Sequence, residues 1–233
     1  MKKIGLIVFI TALAIGVVMA SVSTFGKFSG KIFSFNVNWK GEKGSGNMKT
    51  EQRDVSGFKA IDVGGAFEVE ITAQKDFSLE VEADDNLLQY IKTEVDGETL
   101  EIKVEKSVKP SNPLKIRITA PDVKSLELSG ASKVNLVNLS NDALSLDSSG
   151  ASKITLQGTT GNFDVEMSGA SKLDAENLKA ENVSIDSSGA SHATVFVTGD
   201  LKADLSGATN VTYTGSPKSV DKKTSGASSV KEK

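Results

Sequence analysis

A four-residue phrase, Ser-Gly-Ala-Ser or a close variant, recurs six times in the C-terminal half of the 233-residue chain. The copies begin 18 to 20 residues apart, at Ser129, Ser149, Ser168, Ser188, Ser206 and Ser225. Self-similarity at a fixed short period is typical of solenoids, in which each unit buries its apolar face only by stacking on its neighbours. The phrase therefore restricts the fold to a stack of short coils.

Within each repeat, apolar residues alternate with polar ones on both sides of the glycine. Aligned on that glycine, most copies carry an apolar residue six and four positions before it and four and six positions after it. The glycines are Gly130, Gly150, Gly169, Gly189, Gly207 and Gly226. Alternation with a period of two predicts two half-buried strands per repeat, because successive side chains of a strand point to opposite faces.

The Gly-Ala pair between the two strands predicts a corner. Glycine reaches positive φ without steric cost, and the alanine beside it is expected to point into a narrow stack because it is small. A polar turn is expected to complete each coil. Equivalent residues of parallel coils would lie about 4.8 Å apart and form ladders. We predict an all-β fold, a parallel β-helix (solenoid) of about 19-residue repeats over residues 124–230, with a less regular β region before it.

The N-terminus has the pattern of an export signal. A short positive start, Met1–Lys3, precedes an apolar run from Ile4 to about Val22, and Val18-Met19-Ala20 offers small residues for cleavage after Ala20. Residues 1–20 therefore read as a secretory signal peptide. The run is also long enough to span a bilayer uncut, as an N-terminal membrane anchor. Both alternatives export the rest of the chain.

Residues 21–50 are expected to form a linker. Its alternating aromatic stretch, Phe33–Trp39, suggests a leading strand or a membrane-proximal segment, and a Gly- and Lys-rich stretch follows it. From Glu51 onward strands are expected at 58–63, 67–72, 78–83, 92–95, 99–104 and 114–120. Asp96-Gly97 predicts a hairpin, and Asp84–Ile91 predicts one or two helical turns. The last repeat is polar, as a solenoid end needs to be to avoid end-to-end association.

One position in the repeat suggests a surface ladder of carboxylates. Three residues before the corner glycine stand Glu127, Asp147, Glu166, Asp186 and Asp204. Three residues after it stand Lys133, Lys153, Lys172 and His192. Stacked carboxylates could bind calcium, or the lysine column could offset their charge through exposed cross-strand pairs. We favour the second interpretation, because calcium sites usually gather several oxygens on one loop.

Other chemistry has little support in the composition. The chain has no cysteine, which excludes disulfides and thiol catalysis, and its single histidine, His192, lacks a second imidazole for a metal site. The formal net charge of −3 comes without a basic stripe, so nucleic acid is not an expected partner. The serine-rich corners lack a nearby histidine and are not nucleophile elbows. We therefore assign no catalytic, cofactor-binding or metal-binding residues and expect no enzymatic activity.

The opening phrase Arg53–Val69 and the Ser-Gly-Ala-Ser repeats together resemble the head GIN domain family of putative auto-transporter adhesins. The resemblance covers about residues 50–230. It implies a right-handed parallel β-helix in an exported protein of the kind found in Bacteroidota, and it implies no catalytic residues. The chain ends in polar residues at Lys233, so secretion through a C-terminal barrel of its own is not expected.

Two functions follow as hypotheses. The first is an exported adhesin-like binding module that presents polar ladders to a glycan, a matrix component or a protein through many weak contacts. The second is a periplasmic scaffold or sensor tethered to the membrane only through its N-terminal segment. The expected location is the cell envelope: the periplasm, the outer surface or the medium.

Overall fold

The computed structural model describes residues 41–233, which belong to one unit, Lys40–Lys233. The predicted signal peptide or anchor and the alternating segment Phe33–Trp39 lie outside the described residues. In chain order the described residues form eighteen strands: β1 (Glu42–Lys43), β2 (Met48–Arg53), β3 (Ala60–Gly65), β4 (Glu68–Ala73), β5 (Ser78–Asp84), β6 (Ile91–Asp96), β7 (Thr99–Val104), β8 (Val108–Lys109), β9 (Lys115–Ala120), β10 (Ser125–Gly130), β11 (Lys133–Gly150), β12 (Lys153–Gly169), β13 (Lys172–Gly189), β14 (His192–Val197), β15 (Asp200–Gly207), β16 (Asn210–Gly215), β17 (Ser219–Thr224) and β18 (Ser229–Glu232).

The coils stack as parallel strands in register. We call the strand segment before each corner glycine the first wall and the segment after it the second wall. On the first wall, β10 lies between β3 and the end of β11, so that Gly65, Gly130 and Gly150 fall on one line. On the second wall, the start of β11 lies between β4 and β12. The pattern continues to β17 and β18, which confirms the predicted parallel β-solenoid.

The walls are joined differently from the prediction. In place of a polar turn, the long strands β11, β12 and β13 run continuously from the second wall of one coil into the first wall of the next. The register shifts where the chain changes direction, for example between Leu136 and Leu139. Leu139 and Leu178 are buried at these bends. The bends therefore add apolar side chains to the core.

The N-terminal half does not stack in sequence order. The coil formed by β3 and β4 lies directly against β10 and β11, whereas β7 and β9, which come later in the chain, pair with its other side. Beyond them, β6 pairs with β7, β5 with β9 and β2 with β5, all antiparallel. Antiparallel strands thus close this end of the solenoid.

Several local predictions can be compared with this end. The Asp96-Gly97 hairpin is confirmed, since β6 and β7 are antiparallel and Gly97 has a φ of 60°. One or two helical turns were predicted over Asp84–Ile91, and the structure has a single 3₁₀ turn there, Leu88–Tyr90, without a side-chain cap. The strands begin earlier than expected: β1 and β2 both start within the stretch predicted as linker.

The interior is filled by columns of apolar residues from both walls. The residues four positions before and after the corner glycine are buried in every coil from β10 to β16. The prediction for the corner alanine is wrong: all six copies are exposed, whereas the residue that follows is buried in five of the copies. The chain enters the second wall at that following residue, so the inward phase of the alternation begins there and not at the alanine.

The C-terminal end is polar. Every residue of β17 is exposed, including Lys222 and Lys223, and within the described chain β17 pairs only with β15. On the other wall, Val230 of β18 is the last buried apolar residue. The Nζ of Lys233 lies 2.7 Å from Oε1 of Glu176, which ties the terminus back to an earlier coil.

Candidate binding surface

The corner glycines bring the coils closest together. A Cβ placed on Gly150 would lie 2.1 Å from the carbonyl oxygen of Gly130, and one on Gly169 would lie 2.3 Å from that of Gly150. The N–H of the alanine after each glycine donates to that same oxygen, as in the 2.8 Å bond from Ala151 to Gly130. The oxygen occupies the space that a side chain would need, so the corner requires glycine.

A column of buried hydroxyls lines the inside of the corner. Its members follow the corner alanine directly and are at most 3% exposed: Ser132, Ser152, Ser171, Ser191 and Thr209. Ser171 is representative. Its Oγ accepts a hydrogen bond from the backbone N–H of Ser152 at 3.2 Å and lies 2.9 Å from the Oγ of Ser148. The hydroxyls thus satisfy backbone groups where the regular strand pairing is interrupted.

We did not assign this column from the sequence, although a signal was present. The residue two positions after the glycine shares the inward phase of the apolar residues four and six positions after it. A serine in an inward phase indicates a hydroxyl with a structural partner, because buried polar groups are almost always hydrogen-bonded.

The structure places the predicted acids in one exposed column on the first wall. Glu127 is in register with Asp147, Asp147 with Glu166, Glu166 with Asp186 and Asp186 with Asp204. The column continues toward the N-terminal end with two acids that the repeat did not reveal, Asp62 and Glu101. Burial, with a further contribution from the charge of Glu101, raises the pKa of Asp62.

A groove of about 210 Å³ runs between the acid column and the exposed serines beside it. The serines belong to the repeated phrase, one position before the corner glycine. The lining residues are Asp147, Ser149, Glu166, Met167, Ser168, Asp186 and Ser188. The groove spans three coils, and its acids and serines repeat from coil to coil.

The basic residues form a separate column on the second wall. Lys133 is in register with Lys153, Lys153 with Lys172 and Lys172 with His192, and all four are exposed. The ion pairs found among residues 41–233 join none of these lysines to an acid of the first wall. The expected charge offset between the columns is therefore not made by direct pairs, and the two columns carry opposite charge.

The carboxylate of Asp84, which lies outside the repeats, is buried and was not predicted from the sequence. Asp84, at the end of β5, is fully buried and accepts hydrogen bonds from the N–H groups of Gly46 and Ser111 and from the side-chain amide of Asn112, at 2.8 to 2.9 Å. Burial alone would raise the pKa of Asp84, but these hydrogen bonds outweigh it and hold the pKa below its usual value. Asp84 fastens the segment before β2 to the loop after β8.

The described chain holds no cluster of three or more His, Asp or Glu side chains arranged to bind a metal ion. The calcium hypothesis for the acid column stays a hypothesis. His192 lies at an exposed position in the lysine column, as its place in the repeat predicts. None of residues 41–233 lies in a helix long and apolar enough to span a bilayer.

These features define a parallel β-solenoid whose two walls carry repeated polar columns. Residues 57–217 match the family described as "putative auto-transporter adhesin, head GIN domain". The match covers more than half of the chain, and the protein belongs to this family.

A solved structure shows the same fold. A crystal structure described as a putative adhesin from Bacteroides fragilis aligns with a TM-score of 0.69 and 23% identity, covering 83% of this chain and 100% of its own. A putative lipid binding protein from Parabacteroides distasonis aligns with a TM-score of 0.49 and 20% identity, over 83% and 100% of the two chains. A putative adhesin from Parabacteroides merdae gives 0.45 and 16%, over 82% and 98%. The chain matches no curated protein.

Proposed function

We propose that the chain is an exported, non-enzymatic, adhesin-like binding module that presents its polar columns to a glycan, a matrix component or a protein. The observation that carries the proposal is the in-register repetition of exposed side chains on both walls. A partner with its own repeat can make the same weak contact on each coil, and linked contacts multiply in strength.

The form of the surface supports binding more than catalysis. Catalysis by paired carboxylates needs two groups whose environments push their pKa values apart. Here the acids from Glu127 to Asp204 occupy equivalent exposed positions in successive coils. Because each coil presents the same side chains in the same surroundings, the surface suits an extended partner that contacts several coils in the same way.

The first test is the location of the solenoid. Intact cells would be treated with protease, and the released peptides, such as the one that contains Phe163, would be identified by mass spectrometry. We expect release while a marker enclosed by the outer envelope stays intact. Protection of the repeats until the envelope is opened would contradict the adhesin proposal.

The tethered alternative has its own support in the apolar run Ile4–Val22, which is long enough to span a bilayer. It places the solenoid in the periplasm as a scaffold or sensor. Mass spectrometry of the mature N-terminus separates the two candidates. A chain that begins at Ser21 has lost its anchor, whereas one that begins at Met1 retains it.

A further inference from the structure

We propose that the second wall binds a linear anionic polysaccharide along the lysine column of Lys133, Lys153 and Lys172. This inference rests on the proposed binding function and names the partner class of one wall. The ligand chemistry is a chain of sugar residues that carry carboxylate or sulfate groups.

The lysines of the column are spaced like the sugars of an extended polymer. The three lysines occupy adjacent coils and are direct register partners. Parallel strands lie about 4.8 Å apart, which is comparable to the length of one sugar residue in an extended polysaccharide. Successive ammonium groups can therefore meet successive sugars of a polymer that runs along the stack.

The charges of the lysine column have no ion-pair partners in the described residues. All three lysines are exposed, and none takes part in an ion pair within residues 41–233. Like charges in register on neighbouring strands repel, so the free wall carries an unfavourable interaction. A polyanion on the column removes that repulsion, and the long lysine stems let each ammonium group adjust to its anion.

A second column of polar residues lies beside the lysines. Two residues further along each strand, on the same face, stand Asn135, Thr155, Asp174 and Thr194, all half-buried. A groove of about 210 Å³ at the N-terminal end of the column is lined by Lys133, Lys153, Asn135 and Thr155, and also by the acids Glu68 and Glu70. The amide of Asn135 and the hydroxyls of Thr155 and Thr194 suit the hydroxyls of a sugar, whereas the nearby carboxylates, such as Asp174, require its anionic groups to face the lysine ammonium groups.

The polymer is expected to bind to one wall only, over a limited number of coils. The acid column on the first wall repels an anionic chain, whereas the lysine column on the second wall attracts it. Within the second wall, Glu68 stands next to Lys133 in register, and His192 and Asn210 follow Lys172. The attractive stretch therefore spans the three lysine coils and begins beyond the acid Glu68.

The experiment compares polymers of different charge on the full-length chain. The probes are polygalacturonate, which has one carboxylate per sugar, dextran sulfate, and uncharged dextran. The variant is K133Q/K153Q/K172Q. The matched control is K179Q/K202Q/K218Q, which removes the same charge from exposed lysines outside the column. Affinity would be measured at low and high salt, with the melting midpoint of each protein as a check of folding.

We expect the wild-type chain and the control variant to bind at least one polyanion and not dextran. The column variant should bind about tenfold more weakly, as three partly exposed ion pairs imply, and its affinity should depend less on salt. Preference for polygalacturonate or dextran sulfate identifies the anion as carboxylate or sulfate. The single change Lys153→Glu, compared with Lys202→Glu, gives the same test if the triple variant does not fold.

Equal loss of affinity in the column and control variants would overturn the inference, because general charge would then explain binding. The inference would also be overturned if the column variant bound the polyanions as well as wild type and differed only in self-association, measured by sedimentation. Retention of the chain on a neutral glycan or a protein ligand, without affinity for either polyanion, would overturn the inference and leave the proposed function standing. Absence of retention on any surface ligand would contradict both.

Discussion

At the scale of single residues, the corner shows how backbone packing selects a sequence. Each corner glycine lies against a carbonyl oxygen of the coil before it, and a buried hydroxyl two residues later bonds the same region of the neighbouring coil. One of these positions excludes a side chain, and the other requires a small polar one. The repeated phrase is the product of both requirements.

Gly150→Ala tests the steric requirement without a change in backbone preference, because the φ of Gly150 is outside the left-handed region. We expect a loss of about 1–3 kcal/mol in the free energy of unfolding, since the added methyl group would overlap a backbone oxygen. Denaturant unfolding would measure it. The control is Gly64→Ala, where the new methyl group meets only ordinary contacts at 3.4 Å or more. Equal effects of the two changes would contradict the steric explanation.

At the scale of elements, the antiparallel strands at the N-terminal end depend on polar anchoring as well as on apolar packing. Asp84 joins three chain segments through one carboxylate: the residues before β2, the end of β5 and the loop that contains Ser111. A Cβ on Gly44 would lie 2.2 Å from Oδ2 of Asp84, so the first segment passes directly against that carboxylate. This end of the solenoid should therefore respond to the ionisation of Asp84.

The lowered pKa of Asp84 gives a direction for the pH dependence. The unfolded chain binds the proton more readily than the folded one, so the stabilisation is complete above the ordinary pKa of about 3.9 and is lost as the pH falls through the lower folded value. Asp84→Asn should cost about 1–3 kcal/mol at pH 7, because it leaves buried donors unpaired. The difference from wild type should shrink as the pH is lowered toward about 2.

Urea unfolding at a series of pH values would measure this difference. The control is Asp186→Asn, which makes the same charge change at an exposed position and should stay within about 0.5 kcal/mol of wild type. A difference between Asp84→Asn and wild type that stays constant down to the lowest pH would show that the carboxylate charge is not responsible.

At the scale of the whole molecule, a solenoid must end without recruiting another copy. The C-terminal end does so with β17, whose residues are all exposed and which carries Lys222 at the position where earlier coils place a core residue. An edge strand with lysines disfavours pairing with a second sheet, because pairing would bury their charges. We therefore expect the polar last repeat to keep this edge unpaired.

Replacement of Lys222 and Lys223 by valine should produce an apolar edge strand and concentration-dependent association through that end. Sedimentation velocity over a range of concentrations would detect it. The matched control replaces Lys179 and Lys202 by valine, since both are exposed on strands that are paired on either side. If the control associates to the same extent, added surface hydrophobicity and not the open edge is the cause.

The period of the phrase and the alternation around it were enough to predict the parallel solenoid, its corners and the order of the repeated coils. They are local signals, and each coil follows the one before it along the chain from β10 onward. The acids from Glu127 to Asp204 could be aligned for the same reason. Asp62 also had a signal, since it stands three residues before Gly65 in a degenerate copy of the corner, Val63–Phe67, whereas Glu101 lies on a strand without a corner phrase and could not be added.

The sequence by itself determined the repeat, its apolar columns and the residues that share a column, because stacking at a fixed period turns sequence alignment directly into spatial register. Only the tertiary structure decided that β7 and β9 pack outside β3 and β4, and that the alanine faces outward and the next serine inward. It also decided that the acids of the first wall form no direct ion pairs with the lysine column. These depend on how the chain bends and returns, and bends follow from packing between segments distant in sequence.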